Sequence, residues 1–178
     1  MKKTVWTFGL IAGGILAVTM MVTMPFHEQI GYDRGMVIGY TSMVAAFLLI
    51  FFGIRSYRDN VAGGSIGFGR ALAIGALIAT VASSCYVVTW EVIYFTSTQD
   101  FLSQYQAHEL EKARRGGASQ AELDKQLADM QHFAKLYQNP FINAAVTFVE
   151  PLPVGLIIAL VSAGVLSRRR RVPEPAPA

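Results

Sequence analysis

The stretch ALAIGALIATVASSCYVVTW, residues 71–90, decides the fold because it contains no Asp, Glu, Lys or Arg. An α-helix rises about 1.5 Å per residue, so a helix of this length can cross a bilayer core of about 30 Å. Residues 5–24 and 35–54 are uncharged runs of similar length, and residues 141–167 form a fourth run whose single charge is Glu150. Apolar runs of this length predict membrane-spanning helices.

We therefore predict an all-α protein, an integral membrane four-helix bundle with an extracytoplasmic helical hairpin between spans three and four. The membrane domain covers residues 1–171, and the Pro- and Ala-rich residues 172–178 are expected to form a disordered tail. The predicted spans are residues 5–25, 35–54, 71–95 and 141–167, and the predicted helical insert is residues 97–139.

The first apolar run has an alternative interpretation as a cleaved signal peptide, because Lys2 and Lys3 precede it. A signal peptide usually has an apolar region of only about 7 to 15 residues, followed by a cleavage site of small residues. The run here is longer and continues into Met24 and Pro25 without an A-x-A pattern. These features favour an uncleaved membrane anchor.

Positive charge is concentrated at one end of the predicted spans. The short loop between spans one and two carries only Arg34, which Glu28 and Asp33 offset. The positive-inside rule then predicts a multi-pass protein of the cell inner membrane with both termini in the cytoplasm. Because orientation accounts for the net charge of +3, lipid is the expected environment and nucleic acid is not an expected partner. The positive residues of the predicted cytoplasmic side are Lys2, Lys3, Arg55, Arg58, Arg70 and those of residues 168–171.

The predicted insert has two helical stripes that reverse at Gly116 and Gly117. Ser119 and Glu122 form a capping-box pattern directly after the glycine pair, and apolar residues then recur at helical spacing. A connection between helices usually needs only about 2 to 8 residues, so this longer insert is either a partner-docking arm or an extended connector. Its histidines, His108 and His132, have no metal-ligand spacing and are interpreted as solvated residues.

Small residues recur at every fourth position of the third span and in two further helices. Such residues let helices approach closely in lipid, so these faces are predicted to pack within the bundle, on a second copy of the chain or on another membrane protein. The predicted packing residues of the third span and its approach are Gly67, Ala71, Gly75, Ala79 and Ser83. The same spacing occurs at Gly31, Gly35 and Gly39 and at Gly155, Ala159 and Ala163.

The predicted cytoplasmic loop between spans two and three contains Arg55, Arg58, Asp59 and Arg70. Its glycines lack the G-x-x-x-x-G-K-[ST] pattern of a phosphate-binding loop and follow no strand, so nucleotide binding is not expected. We predict a turn at the lipid headgroups, where the arginines contact anionic lipid and Asp59 pairs with one of them.

Glu91 and Glu150 are the candidate functional acids, because an ionisable group in a membrane segment is costly and needs a partner or water. Counted along the helices from Arg70 and Arg168, the two acids lie at about 31 Å and 27 Å, so a shared outward-facing site is one interpretation. The alternative is two hydrated carboxylates at the membrane boundary. Pro151 and Pro153 follow Glu150 and predict a kinked or broken helix there, and a broken helix beside an acid can bind cations.

Several short blocks occur together along the chain: Tyr57-Arg58-Asp59-Asn60, the following Gly63-Gly64-Ser65-Ile66-Gly67-Phe68-Gly69, Tyr86, Trp90-Glu91, and Phe148-Val149-Glu150-Pro151-Leu152-Pro153-Val154-Gly155. In this combination the chain resembles the bacterial membrane proteins grouped as domain of unknown function 4199. The resemblance covers nearly the whole chain up to about Arg171. The resemblance implies a four-span bacterial inner-membrane protein and names no catalytic residue.

The sequence shows no nucleophile paired with a base and no cofactor motif, and Cys85 is the single cysteine, so no catalytic residue, cofactor or metal is predicted. We predict a non-enzymatic accessory protein or a small oligomeric transport component. One alternative is an intramembrane enzyme that acts on a lipid or lipid-linked substrate through Glu91 and Glu150. The other is a docking or sensor protein that uses the helical insert.

Overall fold

The computed structural model of the chain describes residues 1–97 and 101–167. Every regular element in these residues is a helix, which confirms the predicted all-α class. The arginine cluster of residues 168–171 and the predicted disordered tail lie outside the described residues. The α-helices are α1 (Lys2–Thr23), α2 (His27–Ile30), α3 (Tyr32–Asn60), α4 (Phe68–Ser97), α5 (Phe101–Arg115), α6 (Gln120–Tyr137), α7 (Pro140–Val149) and α8 (Pro151–Leu166), with a 3-10 helix at Met24–Phe26.

Four helical segments are long and apolar enough to cross a membrane: Lys2–Phe26, Tyr32–Asn60, Phe68–Thr96 and Pro140–Leu166. They match the four predicted spans in number and order. The chain is therefore built as a membrane protein.

The helices α3 and α4 extend further than the predicted spans. Arg55, Arg58 and Asp59, expected in a loop, lie in the last turns of α3, and Arg70 lies in the first turn of α4. Arginine is a good helix former, and Asp59 pairs with both neighbouring arginines, so nothing in these residues ends the helix. The chain reverses instead at Gly63 and Gly64, whose φ angles of 69° and 87° suit glycine.

The two central helices of the bundle are α3 and α4, because α1 and α8 each pack against both of them. Their shared core consists of large apolar side chains with no exposed surface: Phe47, Ile50, Ile54, Ile74 and Ile78.

Small residues form the tightest contacts of the bundle. A Cβ atom on Gly75 would lie 2.7 Å from the Cβ of Ala159, and one on Gly155 would lie 2.7 Å from the Cβ of Ala79. This reciprocal contact joins α4 to α8, and Ala71 and Ser83 on the same face are fully buried. Gly67, predicted to belong to this face, is exposed with open space around it, because it precedes the first residue of α4.

A second close contact, which the sequence pattern had not singled out, joins α1 to α4. Cβ atoms on Gly9 and Gly13 would lie 2.7 Å and 2.6 Å from the Cβ atoms of Val81 and Cys85. The two glycines are four residues apart and share one face of α1, so this helix lies directly on α4.

The fourth apolar segment is divided at Glu150, where the predicted kink lies. Helix α7 ends at Val149 and α8 begins at Pro151, and the Glu150 N–H donates to Thr147 O at 3.4 Å. Pro151 and Pro153 occupy the first turn of α8, where the N–H groups that they lack would have had no helical partner. The break lets α8 pack on α3 and α4 while α7 packs on α4 and α6.

Helices α5 and α6 pack against each other and reverse at Gly117, whose φ is 87°. The Ala118 N–H donates to Ala113 O at 3.1 Å, which closes the end of α5 in the way common for a glycine C-terminus. The capping box at Ser119 and Glu122 is present, as the sequence predicts: each residue hydrogen bonds to the backbone N–H of the other.

Candidate functional site

A cavity of about 310 Å³ lies between α1, α3 and α4. It extends along α1 from Leu16 to Thr23, about 10 Å at the rise of a helix, and along α3 from Tyr32 to Met43. Helix α4 contributes Tyr86 and Trp90, α5 contributes Tyr105, and the helix break contributes Glu150. We call the end of the bundle at which α2 and α5 lie the α5 end.

Glu150 contributes a carboxylate to the lining of this cavity, and its Oε2 accepts a hydrogen bond of 3.0 Å from the Tyr86 hydroxyl. Because Cys85 packs on Gly13, the neighbouring Tyr86 lies level with the middle of α1. Glu150 itself is exposed, so the acid reaches the cavity from the surface of the bundle. Among the described residues that line the cavity there is no lysine or arginine to offset its charge.

Most of the other lining residues are apolar or aromatic, and the remaining polar side chains are those of Thr19, Thr23, His27 and Ser42. Methionine side chains are flexible and polarisable and adapt to ligands of irregular shape, while aromatic rings present a negative face. Walls of this kind favour a ligand with an apolar body. The methionines that line the cavity are Met20, Met24, Met36 and Met43, and the aromatic residues are Tyr32, Tyr40, Tyr86, Trp90 and Tyr105.

Glycines on α3 keep the cavity open. Gly35 and Gly39 line it, and no atom lies within 4 Å of the Cβ positions that a larger residue would occupy. Their four-residue spacing resembles that of the packed glycines on α4, which is why the sequence predicted a packing face here. In the structure these glycines leave space between α3 and α1.

Helix α5 covers the α5 end of the cavity through polar and aromatic contacts. The Lys112 Nζ donates to Asp33 Oδ1 at 2.8 Å, and this carboxylate raises the pKa of Lys112. The His27 Nε2 lies 3.1 Å from Gln104 Oε1. The Tyr32 ring packs against Tyr105, with ring centroids 5.6 Å apart, and burial raises the pKa of Tyr105.

Glu91 does not line this cavity. Its side chain is half-buried, and within the described chain its Oε1 has no hydrogen-bond partner. Tyr86, the partner of Glu150, precedes Glu91 by about one and a half helical turns, so the attachment points are about 7.5 Å apart along α4. The structure thus brings one of the two candidate acids into the cavity and leaves the other on a different face of α4.

A buried polar network beside the cavity joins α4, α6 and α7. The Trp90 Nε1 donates to the Tyr137 hydroxyl at 2.9 Å, that hydroxyl lies 2.9 Å from Thr147 Oγ1, and Thr147 Oγ1 donates to Asn143 Oδ1 at 3.2 Å. Burial raises the pKa of Tyr137. This network was not predicted from the sequence, although Asn143 and Thr147, two polar residues four positions apart in an apolar run, could have indicated it.

The charged cluster at the other end of the bundle is compact. The Arg58 Nε donates to Asp59 Oδ1 at 2.7 Å, and the Arg55 Nε lies 3.6 Å from Asp59 Oδ2. Arg70 is exposed on the first turn of α4. These residues form a charged rim, and none of them lines the cavity between α1, α3 and α4. In residues 1–97 and 101–167, no group of three or more His, Cys, Asp or Glu residues could hold a metal ion.

Comparison with known proteins identifies a family. Neither a curated protein nor a solved structure matches this chain. The family model described as "Protein of unknown function (DUF4199)" matches residues 7–168, a range that contains every described residue of the cavity. The chain therefore belongs to the family of domain of unknown function 4199.

Proposed function

We propose that this protein is a non-enzymatic component of a bacterial inner membrane that binds a small ligand in the cavity at Glu150. It acts as a transport-type unit, either as an oligomer or together with another membrane protein. In the proposed orientation, which follows the positive-inside rule, both termini are cytoplasmic and the cavity faces the extracytoplasmic half of the bilayer. Lys2 and Lys3 at the start of α1 and Arg70 at the start of α4 support the orientation.

The observation that carries the proposal is an acid that reaches a cavity within the bundle at a break in a membrane helix. A carboxylate is costly in such a setting, and membrane proteins retain it where a ligand or ion passes. The break removes regular backbone hydrogen bonding next to Glu150, which membrane proteins tolerate where the chain lines a cavity.

A flux assay on purified protein in liposomes, with imposed proton and cation gradients, tests this proposal. Glu150→Gln keeps the shape of the side chain and removes the charge, so we expect flux to fall by about tenfold or more if the charge is desolvated in the site. Glu91→Gln is the matched control on the same helical bundle and should retain the native flux.

Absence of flux from the native protein under every imposed gradient would contradict the transport role. Equal loss in both variants, with the protein still folded and inserted, would contradict the assignment of the function to the cavity.

Docking of an external partner is a second candidate function, favoured by the apolar surface of α6. Leu127, Phe133 and Leu136 on this helix are 36%, 44% and 43% exposed. Under this alternative, replacing all three by serine would abolish capture of the partner in the intact membrane and leave flux unchanged. If the cavity carries the function, Glu150→Gln alone gives the phenotype.

A further inference from the structure

The unbalanced charge of the cavity restricts the class of ligand. Glu150 is the carboxylate that lines it, and its described partner is the neutral hydroxyl of Tyr86. Apart from Glu150 and the tyrosines, the ionisable side chain of the described lining is His27. It lies at the α5 end, where its ring nitrogens contact Met24 O and Gln104 Oε1. A cation beside Glu150 would therefore supply the charge partner that the described lining residues do not give this carboxylate.

An inorganic cation fits this site poorly. Calcium takes about six to eight oxygen ligands and magnesium about six, whereas Glu150 and Tyr86 together offer one carboxylate and one hydroxyl. The hydroxyls of Thr19, Thr23 and Ser42 also line the cavity, but each donates to a carbonyl of its own helix. The rest of the described lining is mostly methionine and aromatic side chains, which are poor ligands for hard cations.

An organic cation fits both the charge and the walls. Ammonium groups with alkyl substituents are attracted to the faces of Trp and Tyr rings, and Trp90 and Tyr86 line the cavity together with Glu150. The volume of about 310 Å³ is at the lower end of the range of small-molecule sites, and the elongated shape suits an ammonium group with an apolar substituent.

Resting on the proposed function, we infer that the ligand of this cavity is an organic ammonium ion, held by Glu150 and the rings of Tyr86 and Trp90. Two sources present this chemistry: a free amine or quaternary ammonium solute, and the ammonium headgroup of a lipid. The cavity binds the ammonium group that both sources share. Changing the lipid composition of the membrane distinguishes the two sources.

Trp90 provides the measurement, because the chain has two tryptophans and Trp6 lies on α1 with 57% of its surface exposed. In a Trp6→Phe background, the emission of Trp90 reports on the cavity. The protein is placed in nanodiscs of phosphatidylglycerol, whose headgroup has no amine. It is then titrated with choline and with the uncharged dimethylbutanol in which carbon replaces the choline nitrogen.

We expect choline to change the emission saturably and to bind about tenfold or more tightly than the alcohol. Glu150→Gln should remove this preference, Glu91→Gln should keep it, and sodium chloride should produce no saturable change. Equal binding of choline and the alcohol to the native cavity would overturn the inference, whatever the variants show. Retention of the preference in Glu150→Gln would overturn it as well.

A second titration, in nanodiscs that contain phosphatidylethanolamine and phosphatidylcholine, identifies the source. Weaker apparent binding of choline indicates that lipid headgroups occupy the cavity, and unchanged binding indicates a free solute; both results support ammonium recognition. If choline does not bind while proton or cation flux still depends on Glu150, the ammonium inference is wrong and the proposed function stands. If Glu150→Gln affects neither measurement, both are wrong.

Discussion

At the scale of single residues, Asn143 shows how this protein accommodates polarity inside an apolar helix. It has no exposed surface, yet its side chain donates to Tyr137 O and accepts from Thr147 Oγ1. A buried polar group costs free energy when it lacks a partner and little when it has one. The network therefore holds α7 against α6 beside the cavity, and Trp90 extends the connection to α4.

Asn143→Ala removes two hydrogen bonds from this network and leaves Thr147 and the Tyr137 carbonyl without these partners. We expect a loss of about 1 to 3 kcal/mol in the free energy of unfolding, measured by thermal unfolding in detergent. Asn60→Ala is the control, because Asn60 is exposed and bonds only within its own helix end, and it should change stability by less than about 0.5 kcal/mol. Equal effects of the two variants would show that the network does not stabilise the fold.

At the scale of elements, the bundle depends on where glycine is packed and where it is open. Gly75 and Gly155 bring α4 and α8 together, Gly9 and Gly13 bring α1 onto α4, and Gly35 leaves space at the cavity. The same residue type thus produces close contact on one face and volume on another. The difference depends on the neighbouring helix and not on the spacing of the glycines.

The variants Gly75→Ala and Gly14→Ala compare a glycine packed against a neighbouring helix with a glycine in open space. The added methyl group at Gly75 would lie 2.7 Å from the Ala159 Cβ, so we expect a loss of about 1 to 3 kcal/mol in stability from overpacking. Gly14 has no atom within 4 Å of its Cβ position, and alanine there should be neutral or stabilise by up to about 1 kcal/mol. Unfolding midpoints in one detergent check both values, and a stabilising Gly75→Ala would contradict the described contact.

The capping box of α6 makes the stability of this helix end depend on pH, and the direction of the change can be stated. Hydrogen bonds from the Ser119 backbone and side chain lower the pKa of Glu122 below its usual 4.5. A lowered pKa in the folded state means that the contribution to stability is present above about pH 4.5 and disappears as the pH falls through the folded pKa.

We therefore expect the first turn of α6 to lose hydrogen-exchange protection under acid conditions below this pH. Glutamine can still form a capping box without titrating, so Glu122→Gln should make the protection of this turn independent of pH. Acid-dependent loss of protection in Glu122→Gln, equal to that of the native protein, would contradict the role of the carboxylate.

The sequence was sufficient to predict elements and insufficient to predict which faces meet. Three charge-free runs and a fourth with a single acid predicted the four long helices, and Ser119 with Glu122 marked the start of α6, because hydropathy and capping are local properties. The separation of Glu91 from Glu150 depends on the contact of Glu150 with Tyr86 across two helices, which no spacing along one chain segment encodes. The cavity depends in the same way on the distance between α1 and α3.

At the scale of the whole molecule, the loop between α3 and α4 and the turn between α5 and α6 lie at opposite ends of the predicted membrane domain. Labelling with a membrane-impermeant thiol reagent can determine which end is outside. The single native thiol, Cys85, is half-buried against Gly13 and can be replaced by alanine to give a background without cysteine.

In that background we expect Ala121→Cys on α6 to react in intact spheroplasts and Ser65→Cys in the α3–α4 loop to react only after lysis. Both positions are exposed, so a difference in their labelling reports orientation. Reaction of Ser65→Cys in intact spheroplasts, with Ala121→Cys protected, would invert the proposed topology.

The position of Glu150 after α1, α3 and α4 in the chain has a consequence for biosynthesis. Helices α1, α3 and α4 leave the ribosome first, so during translation the wall of methionines and tyrosines exists before the acid does. A nascent chain that stops before residue 150 has the lining of α1, α3 and α4 without its carboxylate. Under the proposed function, recognition of the ligand by Glu150 begins only after α7 and α8 have been inserted, so a chain that stops before them could not compete for the ligand through this acid.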